Sequence, residues 1–442
     1  MATVAAESWD NSGHRDMVQR LIANGAVLAF AALGLRVPAP LVAAGQQQPG
    51  FRAGVDLISV DVQVVGSNGQ PLLGLGPSSF EVTIDGKARR VVSADLMQYA
   101  TAGGDTSIRP QMLAANRWPA DGQPGRTFMM VVDVSSFTAG EMVGVLQAAW
   151  AFVDRLPASD LVGVFSLPHG ALLGPTADRP AVRRALTTMA GQRGLRSAQF
   201  NLTAAEIIDI TAADGLMNPL PGRGTAPIQV DPNDALRQVQ MRECRSTADV
   251  GCTQGILAEA ASMSRQFQEQ AEESVAGLEA LLRLLQEYPT RQTVVLLSAG
   301  MPVSDRQGSW FRDGGPARNL GRGAALADAT IYALHIERQA SSAGYSAETR
   351  TARRDFARER DLEQQLLSEL AVSSGGALFS APTGSPAVAL ERLLVETSSV
   401  YLLGIAPDKL DLDGRAHELR VKVSTRGATV RSRRFVALRR SG

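Results

Sequence analysis

Hydrophobic positions in the middle of the chain form two patterns, short unbroken apolar runs and stripes with helical spacing. The runs 127–132, 161–167, 293–297 and 331–336 have the length of strands buried on both faces of a sheet. Stripes at three- and four-residue steps lie between and after the runs, and the longest, 256–285, predicts one long amphipathic helix. Because alternating strands and helices form parallel sheets covered by helices, residues 127–400 are predicted to be a doubly wound, mostly parallel, Rossmann-like α/β domain with helices on both faces.

The two ends of the chain show a different pattern, in which apolar and polar residues alternate. The alternation is clear at 58–64 and again at 419–423. A period of two predicts half-buried strands, and neither end alone has enough of them for a stable sheet. Residues 51–99 and 401–438 are therefore predicted to pair into one β-sandwich-like domain. A stretch rich in glycine and proline at 100–126 is predicted to be the linker to the α/β domain.

Two stretches within the α/β domain, 191–255 and 339–361, show little apolar periodicity. They are predicted to be insertions at the surface, partly without fixed structure. The first contains Cys244 and Cys252 in a polar segment. In an oxidising compartment such a pair closes a small loop by disulfide, and two free thiols are the alternative.

The amino terminus has the order of a secretory signal peptide within residues 1–44. Arg20 precedes an apolar core at 26–35, and small residues follow. Translation from Met17 would give a cleaner signal, because residues 1–16 are polar and contain acids. The core is shorter than the roughly 20 apolar residues of a membrane span. We expect an exported protein, periplasmic or secreted, with no stable membrane span after cleavage; the alternative is a buried amino-terminal helix.

Composition narrows the function classes. The 442 residues include 44 Lys plus Arg and 44 Asp plus Glu, so no net charge attracts nucleic acid or an anionic membrane. With 4 His and 2 Cys, the chain lacks a His- or Cys-rich zinc site of the usual spacing. It contains no nucleophile elbow, phosphate-binding loop or metalloprotease helix motif. His169 and His335 have no motif partner and are expected to be packed or solvated, so we expect no enzymatic activity.

Four strings, taken in order, resemble the von Willebrand factor A (VWA)-related domain proteins of the Acidobacterial type. The strings are VDLISVDVQVVGSNGQPLLGLGPSSFEVTIDGK, MMVVDVSS, TVVLLSAGMP and YLLGIAPDKLDLDGRAHELRVKV. The resemblance extends over residues 51–438. It implies a VWA-like sheet whose ligand crevice lies at the carboxyl ends of the strands, where open α/β sheets bind their ligands.

The resemblance also implies a metal site. In adhesion-type members of this fold, Mg²⁺ or Mn²⁺ is held by an Asp-x-Ser-x-Ser loop, a Thr from a second loop and an Asp after the fourth strand. Here Asp133, Ser135 and Thr203 correspond to part of that set, while Phe137 and Ala299 occupy the positions of the second Ser and the second Asp. Because hard cations need oxygen ligands, we expect a degenerate site with no resident cofactor and at most weak Mg²⁺ or Mn²⁺ binding.

Other interpretations of these residues remain open. Asp305 or Asp209 could supply a missing carboxylate, since sequence alone cannot place either side chain. Asp133 could instead be a polar residue at the end of a strand that caps the following turn.

Two functions follow from these patterns. The first is an exported, non-enzymatic, adhesion-like module that binds an unidentified protein partner through the carboxyl-end loops or the insertions. The second is a structural or assembly factor of the cell envelope, with an inert crevice and binding through the β-sandwich-like domain. A hydrolase built from the insertions is a third reading without a supporting motif.

Overall fold

The computed structural model describes residues 57–99, 125–193, 199–216, 232–288, 290–304, 315–337, 350–382, 385–408 and 411–437. The predicted signal peptide (1–44) and nearly all of the predicted linker lie outside these ranges. All described residues belong to one compact unit of the chain.

The strands of the described residues are, in chain order, β1 (Ile58–Val65), β2 (Phe80–Ile84), β3 (Lys87–Arg89), β4 (Val91–Gln98), β5 (Thr127–Asp133), β6 (Leu161–Leu167), β7 (Gly170–Thr176), β8 (Gln292–Ser298), β9 (Ala329–Glu337), β10 (Leu378–Pro382), β11 (Ser399–Ile405), β12 (Ala416–Val423), β13 (Thr429–Ser432) and β14 (Phe435–Ala437).

The α-helices of these residues are α1 (Ala139–Asp154), α2 (Arg179–Thr187), α3 (Ala204–Leu216), α4 (Pro232–Glu243), α5 (Val250–Leu285), α6 (Gly315–Leu326), α7 (Arg350–Ser374) and α8 (Pro386–Glu396). Helix α7 begins at Arg350, inside the stretch 339–361 that was predicted to be a surface insertion partly without fixed structure. Residues 350–361 are mostly charged and carry no apolar stripe from which a helix could be predicted. None of the helices described here combines the length and apolar character that crossing a membrane requires.

Six strands form one mixed, mostly parallel sheet in the order β10-β9-β8-β5-β6-β7. Neighbouring strands are parallel except β6 and β7, which are antiparallel. Every residue of the central strand β5 is buried, as expected for an apolar run covered on both faces.

Helices cover this sheet on both faces. Because side chains alternate along a strand, Phe128, Met130 and Val132 of β5 pack with α1, α2 and α8. Met129 and Val131 pack on the opposite face with α5, α6 and α7. The sheet therefore separates two hydrophobic cores. Polar side chains can gather at the two ends of its strands.

Strands from the two ends of the described chain hydrogen-bond to each other. They form two four-stranded antiparallel sheets, which we call the β region, in the orders β13-β1-β11-β4 and β14-β12-β2-β3. Val62 of β1 lies opposite Tyr401 of β11 and Ser432 of β13, and Val82 of β2 lies opposite Val421 of β12. Apolar side chains from both sheets share one core.

The β region packs against the amino end of the six-stranded sheet, where β5, β8 and β9 begin. Asp61 of β1 forms an ion pair with Arg291, which precedes β8. Arg433, between β13 and β14, pairs with Asp328 before β9 at 3.0 Å and donates to the carbonyl of Ser59 at 2.8 Å. Charged side chains thus join the two parts of the molecule at this end.

Beyond the opposite, carboxyl end, α3, α4 and the first half of α5 form a helical cap. Helix α5 has 36 residues and so is about 54 Å long at 1.5 Å per residue. Its second half packs on the sheet, while Ile256 and Ala260 of its first half pack with α3 and α4 around Phe200. Within the predicted insertion 191–255, helices α3 and α4 are structure that the sequence pattern did not predict.

Candidate functional site

The candidate site lies where β5 ends. Asp133 is the last residue of β5, and a short 3₁₀ turn at Val134–Ser136 follows directly. Thr138 then caps α1: Glu141 N donates to its hydroxyl at 3.4 Å, and Thr138 N donates to the Glu141 carboxylate at 2.8 Å. This capping box fixes where the helix begins, so the turn between strand and helix is held at both ends.

Three serine hydroxyls converge on Asp133. Ser135 Oγ donates to Oδ1 at 2.6 Å, and Ser298 Oγ, at the end of β8, donates to Oδ2 at 2.8 Å. Ser136 Oγ donates to the backbone carbonyl of Asp133 at 2.8 Å and accepts from Ala299 N at 2.9 Å. These bonds tie the loop after β5 to the end of the neighbouring strand.

Asp133 is 0% exposed. Burial raises the pKa of its carboxyl above the ordinary range, while the hydrogen bonds from Ser135 and Ser298 act in the opposite direction. Hydroxyl donors do not replace the solvation that an ionised carboxylate loses on burial. The site therefore favours the neutral acid more than an exposed aspartate would.

Phe137 occupies the position of the second serine, and its side chain is 1% exposed within the core that contains α1. Backbone bonds hold it there: Arg193 N donates to the carbonyl of Phe137 at 2.9 Å, and Gln192 N donates to that of Val134 at 2.8 Å. A Cβ on Gly191 would lie 2.3 Å from the Thr138 carbonyl oxygen. The segment after α2 is thus laid directly over this loop.

Ala299 occupies the position of the second acid, and it is also fully buried in the apolar core. The next residue, Gly300, has φ +113°, and a Cβ there would lie 2.7 Å from Cβ of Glu363 on α7. Helix α7 therefore approaches the end of β8 too closely for a bulky side chain at position 300.

Thr203 lies directly before α3 and belongs to the cap of that helix. Its hydroxyl accepts from Glu206 N at 3.2 Å and its own N–H donates to the Glu206 carboxylate at 2.9 Å, so it caps α3. No hydrogen bond joins it to Asp133 or Ser135. Asp209 forms an ion pair with Arg358 of α7, and Asp305 lies outside the described residues.

The described residues do not fit a hard divalent cation. Both Asp133 oxygens already accept a serine hydroxyl, and the side chains at positions 137 and 299 are apolar and buried. Within the ranges the structure describes, no three His, Cys, Asp or Glu side chains are grouped so that they could hold a metal. The site is a hydrogen-bonded polar cluster around one carboxyl.

Helix α5 also contacts this cluster, just beyond the part of the helix that belongs to the cap. Gln270 Nε2 donates to Ser135 Oγ at 3.1 Å. Ser298 could be foreseen as the polar residue that ends the run 293–297, but Gln270 could not. Its contribution depends on the rotation and length of α5, and the apolar stripe of that helix does not show which of the polar residues beside it reaches the sheet.

His335 also lies at the carboxyl end of the sheet, opposite Ser298 in the register of β8 and β9. It is 0% exposed, as expected for a packed histidine. Its Nδ1 accepts from Gln364 Nε2 at 2.9 Å, and its Nε2 lies 3.5 Å from the Glu363 carboxylate. Both partners belong to α7, so this histidine links the sheet to that helix.

Cys244 and Cys252 form a disulfide, with their Cα atoms 6.0 Å apart. It joins the end of α4 to the first turn of α5, and both residues pack against the small core of the cap. Of the two readings left open by the sequence, the bonded pair is the one the structure contains.

No protein-family model matches this sequence, and no curated protein matches it significantly. Among solved structures, the SpRpn10 VWA domain aligns with 61% of this chain and 93% of its own at 11% identity, with a TM-score of 0.25. Human COPII-coat protein Sec24c aligns with 72% of this chain and 44% of its own at 9% identity, with a TM-score of 0.26.

A third solved structure is that of proximal thread matrix protein 1 from the mussel byssus, with a zinc-occupied MIDAS motif. It aligns with 64% of this chain and 99% of its own at 9% identity, with a TM-score of 0.17.

Proposed function

We propose that this chain is an exported, non-enzymatic protein-binding module of the VWA-like type, with a degenerate metal-ion-dependent adhesion site. The observation that carries the proposal is the closed carboxyl end of the sheet. Where a ligand would bind, Asp133, Ser135 and Ser298 are hydrogen-bonded to one another instead. The cap lies beyond this end of the sheet. A partner that approaches this end meets the cap, so the cap is the proposed contact surface.

Three features support this assignment. The serine hydroxyls are bonded to a buried aspartate, an arrangement that braces a loop rather than presenting a nucleophile. The cap exposes apolar side chains at Met241, 60% exposed, and Val250, 66% exposed, and apolar residues at a surface suit protein contacts. The Cys244–Cys252 disulfide is typical of an oxidising, extracytoplasmic compartment.

The second candidate function is a structural or assembly factor of the cell envelope that binds through the β region. It is favoured by an open cleft of about 560 Å³ along β2 and β3, whose lining includes Phe80, Thr83 and Ala88. In this reading the closed crevice is inert and the cap has no partner.

Co-purification from the native host separates the two. The tagged full-length chain is compared with Met241→Glu plus Val250→Glu in the cap, Ala88→Arg in the cleft, and Val143→Glu as a control at an exposed position of α1 (56% exposed). We expect a specific partner whose recovery the cap variant lowers by about tenfold, or 1.4 kcal/mol, while the other two retain it.

Recovery that is lost with Ala88→Arg and kept with the cap variant would assign binding to the β region instead. Asp133→Ala, assayed with and without Mg²⁺, is expected to change recovery equally in both conditions. Partner capture that requires Mg²⁺ and is abolished by Asp133→Ala would show that the crevice is a working metal site.

A further inference from the structure

The β region contains a histidine held between two carboxylates that come from different loops. His417, near the start of β12, has Nδ1 at 2.8 Å from Asp85 Oδ2 and Nε2 at 2.9 Å from Asp413 Oδ1. Asp85 lies in the turn between β2 and β3, and Asp413 lies in the loop between β11 and β12. The imidazole therefore bridges two segments that are far apart in sequence.

Each carboxylate is held in place by a second bond. Asp85 Oδ1 accepts from Glu418 N at 2.9 Å, and Asp413 Oδ1 accepts from Arg415 N at 2.8 Å. Asp85 also has φ +48° at the first position of its Asp-Gly turn, a conformation that this turn type requires. The two acids are thus fixed on opposite sides of the ring.

A neutral imidazole has only one N–H, whereas the imidazolium has two. Both ring nitrogens here face carboxylate oxygens at hydrogen-bond distance, and an ionised carboxylate only accepts. The neutral ring can satisfy one of them and must turn a lone pair towards the other. We propose that His417 is a protonation-controlled latch, which holds the loop at 412–415 against the β2–β3 turn when charged and releases one side when neutral.

The charged groups around the latch favour the closed form. Asp85, against a smaller opposing effect of burial, raises the pKa of His417, and Asp413 raises it further. Asp411 is the next acid in the loop and is paired with Arg89. On its other side, β12 presents His417 opposite Val436 of β14, which does not titrate.

The sign of the pH effect follows from these directions. Because the pKa of His417 is raised in the folded state, its stabilisation is complete below the ordinary histidine pKa of about 6.5 and is lost as the pH rises through the folded value. The pKa values of Asp85 and Asp413 are lowered by their bonds with His417 and with backbone N–H groups. Their contributions are present above the ordinary aspartate range and are lost only in acid.

A second clasp limits how far the loop can open. Arg89 of β3 donates to both oxygens of Asp411, at 2.7 and 2.6 Å, and the two side chains are 8% and 3% exposed. The guanidinium stays charged at any physiological pH. Deprotonation of His417 should therefore loosen residues 412–417 while the base of the loop remains attached.

The test uses the full-length protein. Ring resonances of the histidines are titrated by NMR between about pH 5 and pH 9, a range that covers the ordinary histidine pKa, and His417→Gln assigns the signal. We expect His417 to titrate above about 6.5. As the pH rises and His417 loses its proton, protection of the Arg415 and Glu418 amides against hydrogen exchange should fall. The fall should be about tenfold for each unit by which folding raises the pKa of His417.

His417→Gln should show the low protection of the open loop at every pH. His169→Gln is the matched control, because His169 faces the Gln192 amide rather than two carboxylates, and it should retain the pH dependence. The amides of Asp408 and Asp411, which are hydrogen-bonded within the base of the loop, should stay protected in all variants. Titration of His417 at or below the ordinary value, or equal pH dependence of loop protection in wild type and His417→Gln, would overturn the latch.

Discussion

The two ends of the six-stranded sheet treat buried charge in opposite ways. At the amino end, Arg126 donates to Asp160 through Nε at 3.0 Å and Nη2 at 2.7 Å, and the two residues are 5% and 1% exposed. At the carboxyl end, Asp133 is 0% exposed and its side-chain partners are serine hydroxyls. One end pairs its acid with a cation, and the other surrounds its acid with neutral donors.

The difference separates a structural end from a candidate functional end. Paired charges at the amino end compensate each other and also attach the β region, as when Glu396, itself fully buried, pairs with Arg431 of β13 at 3.0 Å. A buried carboxyl without a cation costs stability when ionised, so packing alone gives no reason to place one at the end of β5. That placement supports the proposal that this end is a ligand crevice that has lost most of its ligands.

The largest expected effect comes from deleting residues 410–442. The deletion removes β12, β13 and β14, and with them β-sheet partners of β1 and β2. Exchange protection at Val60, Val62 and Val82 should fall by at least about ten-thousandfold, because opening of the whole β region exposes these amides. Val131 in β5 serves as the internal control and should stay protected. Unchanged exchange at the three β-region valines would mean that these strands do not depend on the carboxyl-terminal ones.

Breaking the amino-end ion pair should have the next largest effect. Asp160→Asn leaves the Arg126 guanidinium buried without its anion and should destabilise the fold by about 3–5 kcal/mol. Glu391→Gln breaks the Arg155–Glu391 pair, whose side chains are 55% and 49% exposed, and should cost less than about 1 kcal/mol. Urea unfolding measures both. Similar losses of stability in the two variants would show that the buried Arg126–Asp160 pair matters no more to the fold than an exposed ion pair.

Much of this comparison could be anticipated from sequence, because it depends on local patterns. The unbroken run at 127–132 predicted a strand buried on both faces, and the acid directly after it indicated the carboxyl end of the sheet, where Asp133 lies. Ion pairs such as Asp61 with Arg291 could not be anticipated, since they join residues that only the docking of the β region brings together. Helices α3 and α4 were missed because they bury their apolar residues in a small local core rather than on the sheet.

The contribution of Asp133 to the stability of the fold should fall as the pH rises. Asp133→Asn keeps the shape and an acceptor oxygen, so its cost should be within about 1 kcal/mol in acid, the range of one neutral hydrogen bond. Because burial raises the pKa of Asp133, the stabilisation from its neutral form is lost as the pH rises through that raised value.

The melting temperature of Asp133→Asn should therefore rise relative to wild type as the pH increases. Ser298→Ala is the matched control, because it removes one donor to Asp133 and leaves the carboxyl in place. It should be destabilising, and more so at high pH, where the ionised oxygen has lost its donor. A gap between Asp133→Asn and wild type that is constant with pH would show that Asp133 does not titrate differently in the folded state.

The smallest expected effect is that of Mg²⁺ or Mn²⁺ on the unmodified protein. If the dissociation constant is at or above the metal concentration used, binding stabilises the fold by no more than about 0.4 kcal/mol, so the melting temperature should be nearly unchanged.

Ala299→Asp should raise metal affinity, because it places a second carboxylate beside Asp133, and adding Phe137→Ser should raise it further. The second change also empties a core position, at a cost of about 3–5 kcal/mol, so calorimetry on the double variant must be run where it remains folded. A micromolar dissociation constant for Mg²⁺ in the unmodified chain, abolished by Asp133→Ala, would show that ligands beyond the described residues, such as Asp305, complete the coordination sphere and that the carboxyl end is a working metal site.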